Sequence, residues 1–173
     1  MIINPYRYAN PSVPILFGMA GTPVSGGFST RQEELWTPYS ADSTGATFDA
    51  AGICDSISLY VQQDGQLRVW AGTWSGTTFV FDSYTAVIDI ANAPVGLSTF
   101  TAPTDFTAFA VTANTALAIY CEGGKLDLEV AINENQSPAF SGIAGAKPPY
   151  SSSIAMSQST NGVLQFKATG MSS

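Results

Sequence analysis

The sequence predicts an all-β protein, a jelly-roll-like antiparallel β-sandwich of about eight to ten strands behind an extended N-terminal arm. Three observations predict it. Apolar and polar residues alternate with a period of two through the middle of the chain. Turn signals recur roughly every 8–12 residues. Only 11% of the 173 residues are charged, and Thr, Ser, Gly and Ala take the place of Lys and Glu. Strands packed against neighbours suit that composition better than solvent-facing helices do.

The stretch over residues 55–133 organises the rest. Ile57, Leu59 and Val61 alternate with Ser58, Tyr60 and Gln62, the pattern of a strand with one buried face. Asp64-Gly65 follows, a dipeptide that tolerates the positive φ of a tight hairpin turn. The chain then returns through Leu67 and Val69, with Arg68 and Trp70 on the opposite face. At the far end Leu126, Leu128, Val130 and Ile132 alternate with Lys125, Asp127, Glu129 and Ala131. Between these lie strands expected at 77–81 (Phe79 and Phe81 on one face), 84–90, 97–101, 106–112 and 115–121. The alanines at 108, 110, 113, 116 and 118 would admit a helix, but interleaved β-branched and aromatic residues and the flanking Gly123-Gly124 favour strands.

Outside that stretch the signals are weaker. Residues 29–36 read either as one capped helical turn before Pro38 or as a strand entering the core at Leu35 and Trp36. Residues 40–45 read as a loop, 47–53 as the approach to the first central strand, and 134–153 as a long loop rich in Pro, Ser, Ala and Gly. A last hairpin is expected over 153–158 and 163–168 around Asn161-Gly162. The chain divides into an arm, 1–27, and a single sandwich domain, 28–173. The arm holds Pro5, Pro11, Pro14, Pro23 and the Gly26-Gly27 pair, which disfavour helix. Yet Ile2, Ile3, Tyr6, Tyr8, Val13, Ile15, Leu16 and Phe17 need burial, so the arm is expected to lie across its own sandwich or a neighbouring subunit.

Charge narrows the function classes. The net charge is −7, and the six cations, Arg7, Arg31, Arg68, Lys125, Lys147 and Lys167, are scattered. Nucleic-acid binding requires a basic track along the phosphates, and none is present. No apolar run approaches the roughly 18 residues of a membrane span. Met1-Ile2-Ile3-Asn4-Pro5 lacks the basic start of a secretory signal. Cys54 and Cys121 each lie in an apolar strand and are expected as buried thiols. A disulfide between them would imply an oxidising compartment.

The chain contains no histidine. That removes His-dependent nucleophilic triads and most zinc sites. Neither glycine pair is followed by the Lys-Ser/Thr of a phosphate loop. No cofactor or metal is expected. Carboxylates in pairs can hydrolyse glycosides, and Glu33 with Glu34, Asp127 with Glu129, and Asp82 with Asp89 are the available pairs. They read as solvated surface, and the chain reads as a non-enzyme. Aromatics give the strongest binding signal. Trp70, Trp74 and Tyr84 fall near one hairpin and form a candidate stacking platform for carbohydrate. The competing reading places all three in the core or in a subunit interface, where Trp and Tyr are enriched.

The segment INPYRYA, from Ile3 to Ala9, resembles the opening of many small virion proteins of tailed bacteriophages. The acidic, histidine-free, Thr/Ser/Gly/Ala-rich character of the chain is similar to theirs as well. The resemblance implies a β-sandwich or jelly-roll module, assembled in the bacterial host cytoplasm and displayed on the virion. Such modules serve as capsid decoration or cement subunits, head fibres, or tail and receptor-binding pieces. They are commonly homotrimers, and many dock onto the major capsid protein or other virion proteins through an extended arm. No catalytic residues carry over. On this reading Ile2, Ile3, Tyr6, Arg7 and Tyr8 are the candidate anchor, with Arg7, the only charge among the first thirty residues, as an ion-pair partner. The alternative is a tail or fibre module that binds host surface glycans through Trp70, Trp74 and Tyr84.

Overall fold

A computed structural model describes residues 12–25, 27–29, 34–38, 46–129, 139–142, 152–159 and 163–172. Among these residues the regular elements are all β-strands. In chain order they are β1 (Pro14–Gly18), β2 (Gly27–Ser29), β3 (Leu35–Pro38), β4 (Gly52–Gln63), β5 (Gly65–Ser75), β6 (Thr78–Phe81), β7 (Ile88–Ala93), β8 (Gly96–Thr101), β9 (Phe109–Val111), β10 (Ala116–Glu122), β11 (Lys125–Glu129), β12 (Ala139–Gly142), β13 (Ser153–Ser159), β14 (Val163–Leu164) and β15 (Phe166–Ser172). They form two antiparallel sheets arranged as a sandwich. The first holds β1, β15, β4, β11 and β14 in that order, with β8 and β9 also on β4 and β2 on β11. The second holds β10, β3, β12, β13, β6, β5 and β7, with a further pairing of β10 to β5.

The predicted strand at 57–61 lies within β4, and its alternation holds: Ile57, Leu59 and Val61 are buried. Asp64-Gly65 does something other than the hairpin expected of it. β4 and β5 do not pair with each other; they belong to different sheets. Gly65 is not among the positive-φ glycines, which are Gly18, Gly76, Gly96 and Gly123 among the described residues. The dipeptide is a corner at which one long strand passes from the first sheet to the second. Its neighbours turn the same corner. On one side β8 pairs with β4 (Val61 opposite Gly96) and β7 with β5 (Gly65 opposite Ala93). On the other side β11 pairs with β4 (Gln63 opposite Lys125) and β10 with β5 (Gln66 opposite Glu122). The centre of the molecule is therefore a three-stranded ribbon folded in half, the arrangement in which strands switch sheets through bends.

Small residues permit the fold. A Cβ on Gly65 would lie 2.5 Å from the Glu122 carbonyl oxygen, and one on Gly124 would lie 2.5 Å from the Gln63 oxygen and 2.6 Å from the Cys121 sulfur. The amide Nε2 of Gln63 donates to the Gly123 carbonyl oxygen across the bend at 3.0 Å. The true hairpin of this region is the next one, between β5 and β6, where Ser75 faces Thr78 and Gly76 takes φ 60°.

The second sheet closes on itself. β10 pairs with β3, β3 with β12, β12 with β13, β13 with β6, β6 with β5, and β5 again with β10. This six-strand ring creates two interiors. Leu67, Val69, Leu117 and Ile119 share the face turned to the first sheet and pack with Ile57, Leu59, Phe100 and Phe166. The opposite face points into the ring and carries Leu35, Trp70, Phe79, Phe81, Ala118, Tyr120 and Met156, all buried. β3 and β10 stand between the two interiors, which is why neither shows alternation: β3 is buried at every position and β10 at all but the last.

Several boundaries differ from expectation. Residues 14–18, within the stretch read as an arm lying across its own sandwich or a neighbour, pair with β15 of their own sandwich, with Ile15 and Phe17 buried. Of the two readings of residues 29–36, the strand holds for Leu35 and Trp36. Residues 139–142, read as loop, form β12. The last two strands exist but are not a hairpin: β13 lies in the second sheet and β15 in the first. Among the described residues there are fifteen strand segments rather than eight to ten, because corners split long strands and two- to three-residue pieces such as β2, β9 and β14 carry little sequence signal.

The corner yields a stability test. Gly124→Ala is expected to lower the unfolding free energy by about 1–3 kcal/mol, the cost of overpacking. Gly21→Ala, whose nearest contact would be the Met19 methyl carbon at 3.8 Å, is expected to stay within about 0.5 kcal/mol. Urea denaturation of both variants measures the difference.

Candidate functional site

The three aromatic residues singled out in the sequence fall at different depths. Trp70 lies on β5 with its side chain inside the ring and is 2% exposed. Its indole N–H donates to the Tyr84 carbonyl oxygen at 3.4 Å, and its ring meets Phe81 edge-on at 6.3 Å. Trp74, two positions along the same face, is partly buried, donates to the Ala46 carbonyl oxygen at 3.2 Å and meets Phe79 edge-on at 5.7 Å. Phe79 and Phe81 are themselves 5.0 Å apart. Tyr84, in the connection before β7, is 64% exposed. The three do not make one open platform. Strand alternation put Trp70 on the face opposite Leu67 and Val69, and ring closure makes that face a second interior, so the competing core reading holds for Trp70. Edge-to-face contacts and committed N–H groups are what aromatic residues do in a core.

A polar network closes the ring at its corner end. The Arg68 guanidinium contacts Glu122 at 3.1 Å and Asp89 at 3.7 Å, and donates to the Gln66 side-chain oxygen at 2.8 Å. Gln66 in turn donates to Asp89 at 2.7 Å. β5, β7 and β10 each contribute to this network, and their register sets Arg68 opposite both Asp89 and Tyr120. Charge here is neutralised across strands and fixes their alignment. Asp89, paired with Asp82 in the sequence reading, is thus engaged with Arg68. The side chains of Glu33, Asp127 and Glu129 lie outside the described residues, and Glu34 is 8% exposed. Among the described residues no group of three or more His, Cys, Asp or Glu is placed to hold a metal ion.

Cys54 and Cys121 are free and buried, in different sheets. Burial pushes the Cys54 thiol up to about 12 and the Cys121 thiol up to about 11. Neither thiolate forms near neutral pH, so neither sulfur acts as a nucleophile.

The anchor residues Ile2, Ile3, Tyr6, Arg7 and Tyr8 lie outside the described residues. The surface from which they lead is described, and sequence reasoning missed it. Val13 is 59% exposed, and beside it Pro14, Met171 and Ile53 are paired in one row across β1, β15 and β4. Met171 and Ile53 are each 42% exposed. Strand alternation assigns Ile53 and Met171 to the outer face, but only the cross-strand register puts residue 53 next to residue 171. The adjoining sheet edge is protected: Pro14 has no N–H, and the Leu16 backbone donates to the Asp49 carboxylate at 2.8 Å and accepts from the Asp49 N–H at 3.1 Å.

Three tests follow from these placements. Trp70→Ala is expected to cost about 3–5 kcal/mol of stability, and Tyr84→Ala no more than about 0.5 kcal/mol; thermal melts of both variants check this. The thiols should resist Ellman's reagent at pH 8 and react fully on unfolding. Their folded pKa values exceed the unfolded ones, so the stability they contribute is complete below pH about 8.5 and is lost as pH rises through about 11 to 12. Equilibrium unfolding at pH 8, 9 and 10 should show that decline.

No protein family matches the chain, and comparisons with curated proteins and with solved structures likewise found no significant match.

Proposed function

We propose that the chain is a non-enzymatic structural subunit of a virion: a homo-oligomeric capsid decoration or cement protein that binds the phage head through its N-terminal arm. The observation that supports this most is the apolar row of Pro14, Met171 and Ile53 at the end of the first sheet, with the exposed Val13 beside it. It lies where the chain arrives from the anchor residues Ile2, Ile3, Tyr6, Arg7 and Tyr8. An exposed apolar surface at the end of a sheet offers a partner an area to bury. The partner of this contact would be the major capsid protein or another virion protein. The low charge of the chain favours such association through apolar burial and backbone pairing. The tail-module alternative, with host glycans as ligand, loses its platform, since only Tyr84 of the three aromatics presents most of its ring to solvent.

Deleting residues 1–10 is expected to abolish co-sedimentation with phage heads that lack the protein while leaving the far-ultraviolet circular dichroism spectrum unchanged. Met171→Asp in the full chain is expected to weaken binding about tenfold or more, as loss of a central apolar contact does. Undiminished sedimentation of the truncated chain would reject the arm as anchor.

A further inference from the structure

The two outer edges of the first sheet are treated differently. The β1 edge is blunted by Pro14 and by Asp49. The opposite edge, β8, is not. β8 runs antiparallel to β4 with an unbroken register from Val61–Gly96 to Ser56–Thr101. The Ala102 N–H donates to the Asp55 carbonyl oxygen, so the backbone groups of Gly96, Ser98 and Phe100 turn toward β4 and those of Leu97, Thr99 and Thr101 turn outward. Thr101 is capped: its N–H donates to Asp105 Oδ2 at 2.7 Å and its carbonyl accepts from the Asp105 N–H at 2.9 Å. Among the described residues Leu97 and Thr99 have no such cap. Two N–H donors and two carbonyl acceptors are thus presented along a strand with no charged residue. Beside them Val95 and Leu97 are 62% and 52% exposed. Natural sheets cover, charge or kink such an edge unless it is used.

We infer that β8 is the contact through which two copies of this chain pair, edge to edge, as one continuous antiparallel sheet about a two-fold axis at Ser98. The open groups are self-complementary in that geometry. Leu97 of one copy faces Thr99 of the other and exchanges both backbone hydrogen bonds with it; the reciprocal pair repeats this, and the two Ser98 residues meet as a non-hydrogen-bonded pair. Leu97 then lies on the outer face beside Thr99 of the partner copy and close to its own neighbour Tyr60. Charge selects the same place. The chain carries −7, and two copies must approach where neither presents a charge. In this register the two Asp105 side chains fall at opposite ends, more than about 20 Å apart by strand rise, beyond the screening length of roughly 8 Å at physiological salt. The inference concerns self-association alone and stands whether or not the protein belongs to a virion.

The test uses the full chain. Sedimentation equilibrium is expected to give a dimer or a higher even-numbered assembly. Leu97→Lys and Thr99→Pro, which add a charge to the edge or remove one outward N–H at a position where a strand tolerates proline, should each shift the dissociation constant upward by at least tenfold. Tyr84→Lys, exposed elsewhere, should leave it unchanged. A chain carrying both Leu97→Cys and Thr99→Cys, exposed positions that face each other across the axis, should form intermolecular disulfides under mild oxidation, and Thr101→Cys should not. A monomer or a trimer for the wild-type chain would overturn the inference. So would an assembly sensitive to Leu97→Lys that fails to cross-link through residues 97 and 99, since the edge would then be receiving some other strand, such as the arm of a neighbouring copy.

Discussion

Everything in this structure depends on keeping a three-stranded hydrogen-bond ladder intact while it turns a corner. β4 and β5 run almost end to end, and the single residue between them is where the chain leaves one sheet for the other. A ladder can bend this sharply only where backbones approach more closely than side chains allow. Gly65 and Gly124 meet there, each lying where the other strand would collide with a Cβ. Once that bend is fixed, the inner faces of the two sheets oppose each other, and Ile57, Leu59, Leu67 and Val69 become one core rather than two exposed stripes.

The ring follows from the same bend. With β5 and β10 committed to the second sheet, β6 returns along β5 and β3 lies against β10. β12 and β13 then bridge the gap between them. Closure removes sheet edges that would otherwise be open, and it buries a second set of side chains, among them Trp70, Phe79 and Tyr120. The Arg68 network holds the end of the ring nearest the corner, where β5, β7 and β10 must stay in register. Two interiors sharing one wall explain how a chain with so few charges keeps so much apolar surface out of water.

The strands were largely legible in the sequence; their partners were not. Ile57, Leu59 and Val61 betrayed β4 because a period of two survives wherever one face is buried and the other wet. The same rule put Trp70 on the correct face but could not tell that this face is also buried, because a strand in the wall of a closed ring is buried on both faces. Asp64-Gly65 reads as a hairpin because local chemistry reports only that the chain changes direction, not which sheet it enters next. Asn161-Gly162 misled for the same reason. β12 carries too little pattern in four residues to stand out from the Pro-, Ser-, Ala- and Gly-rich sequence around it. The row joining Ile53 to Met171 rests on pairing across more than a hundred residues, which no local signal encodes. For the proposed anchor, apolar composition marked the arm, whereas the surface it leads to emerged only from the register of β1, β15 and β4.

The placement of β15 has a consequence for how the chain is made. Residues 166–172 lie between β1 and β4 in the first sheet, pairing Ile15 with Gly170 and Leu59 with Phe166. β1 and β4 emerge from the ribosome long before the strand that separates them. At about 5–20 residues per second, they wait several seconds with their facing edges unfilled, and they must not pair with each other in the meantime. The first sheet is completed from its middle, last of all, by insertion rather than by growth at an edge.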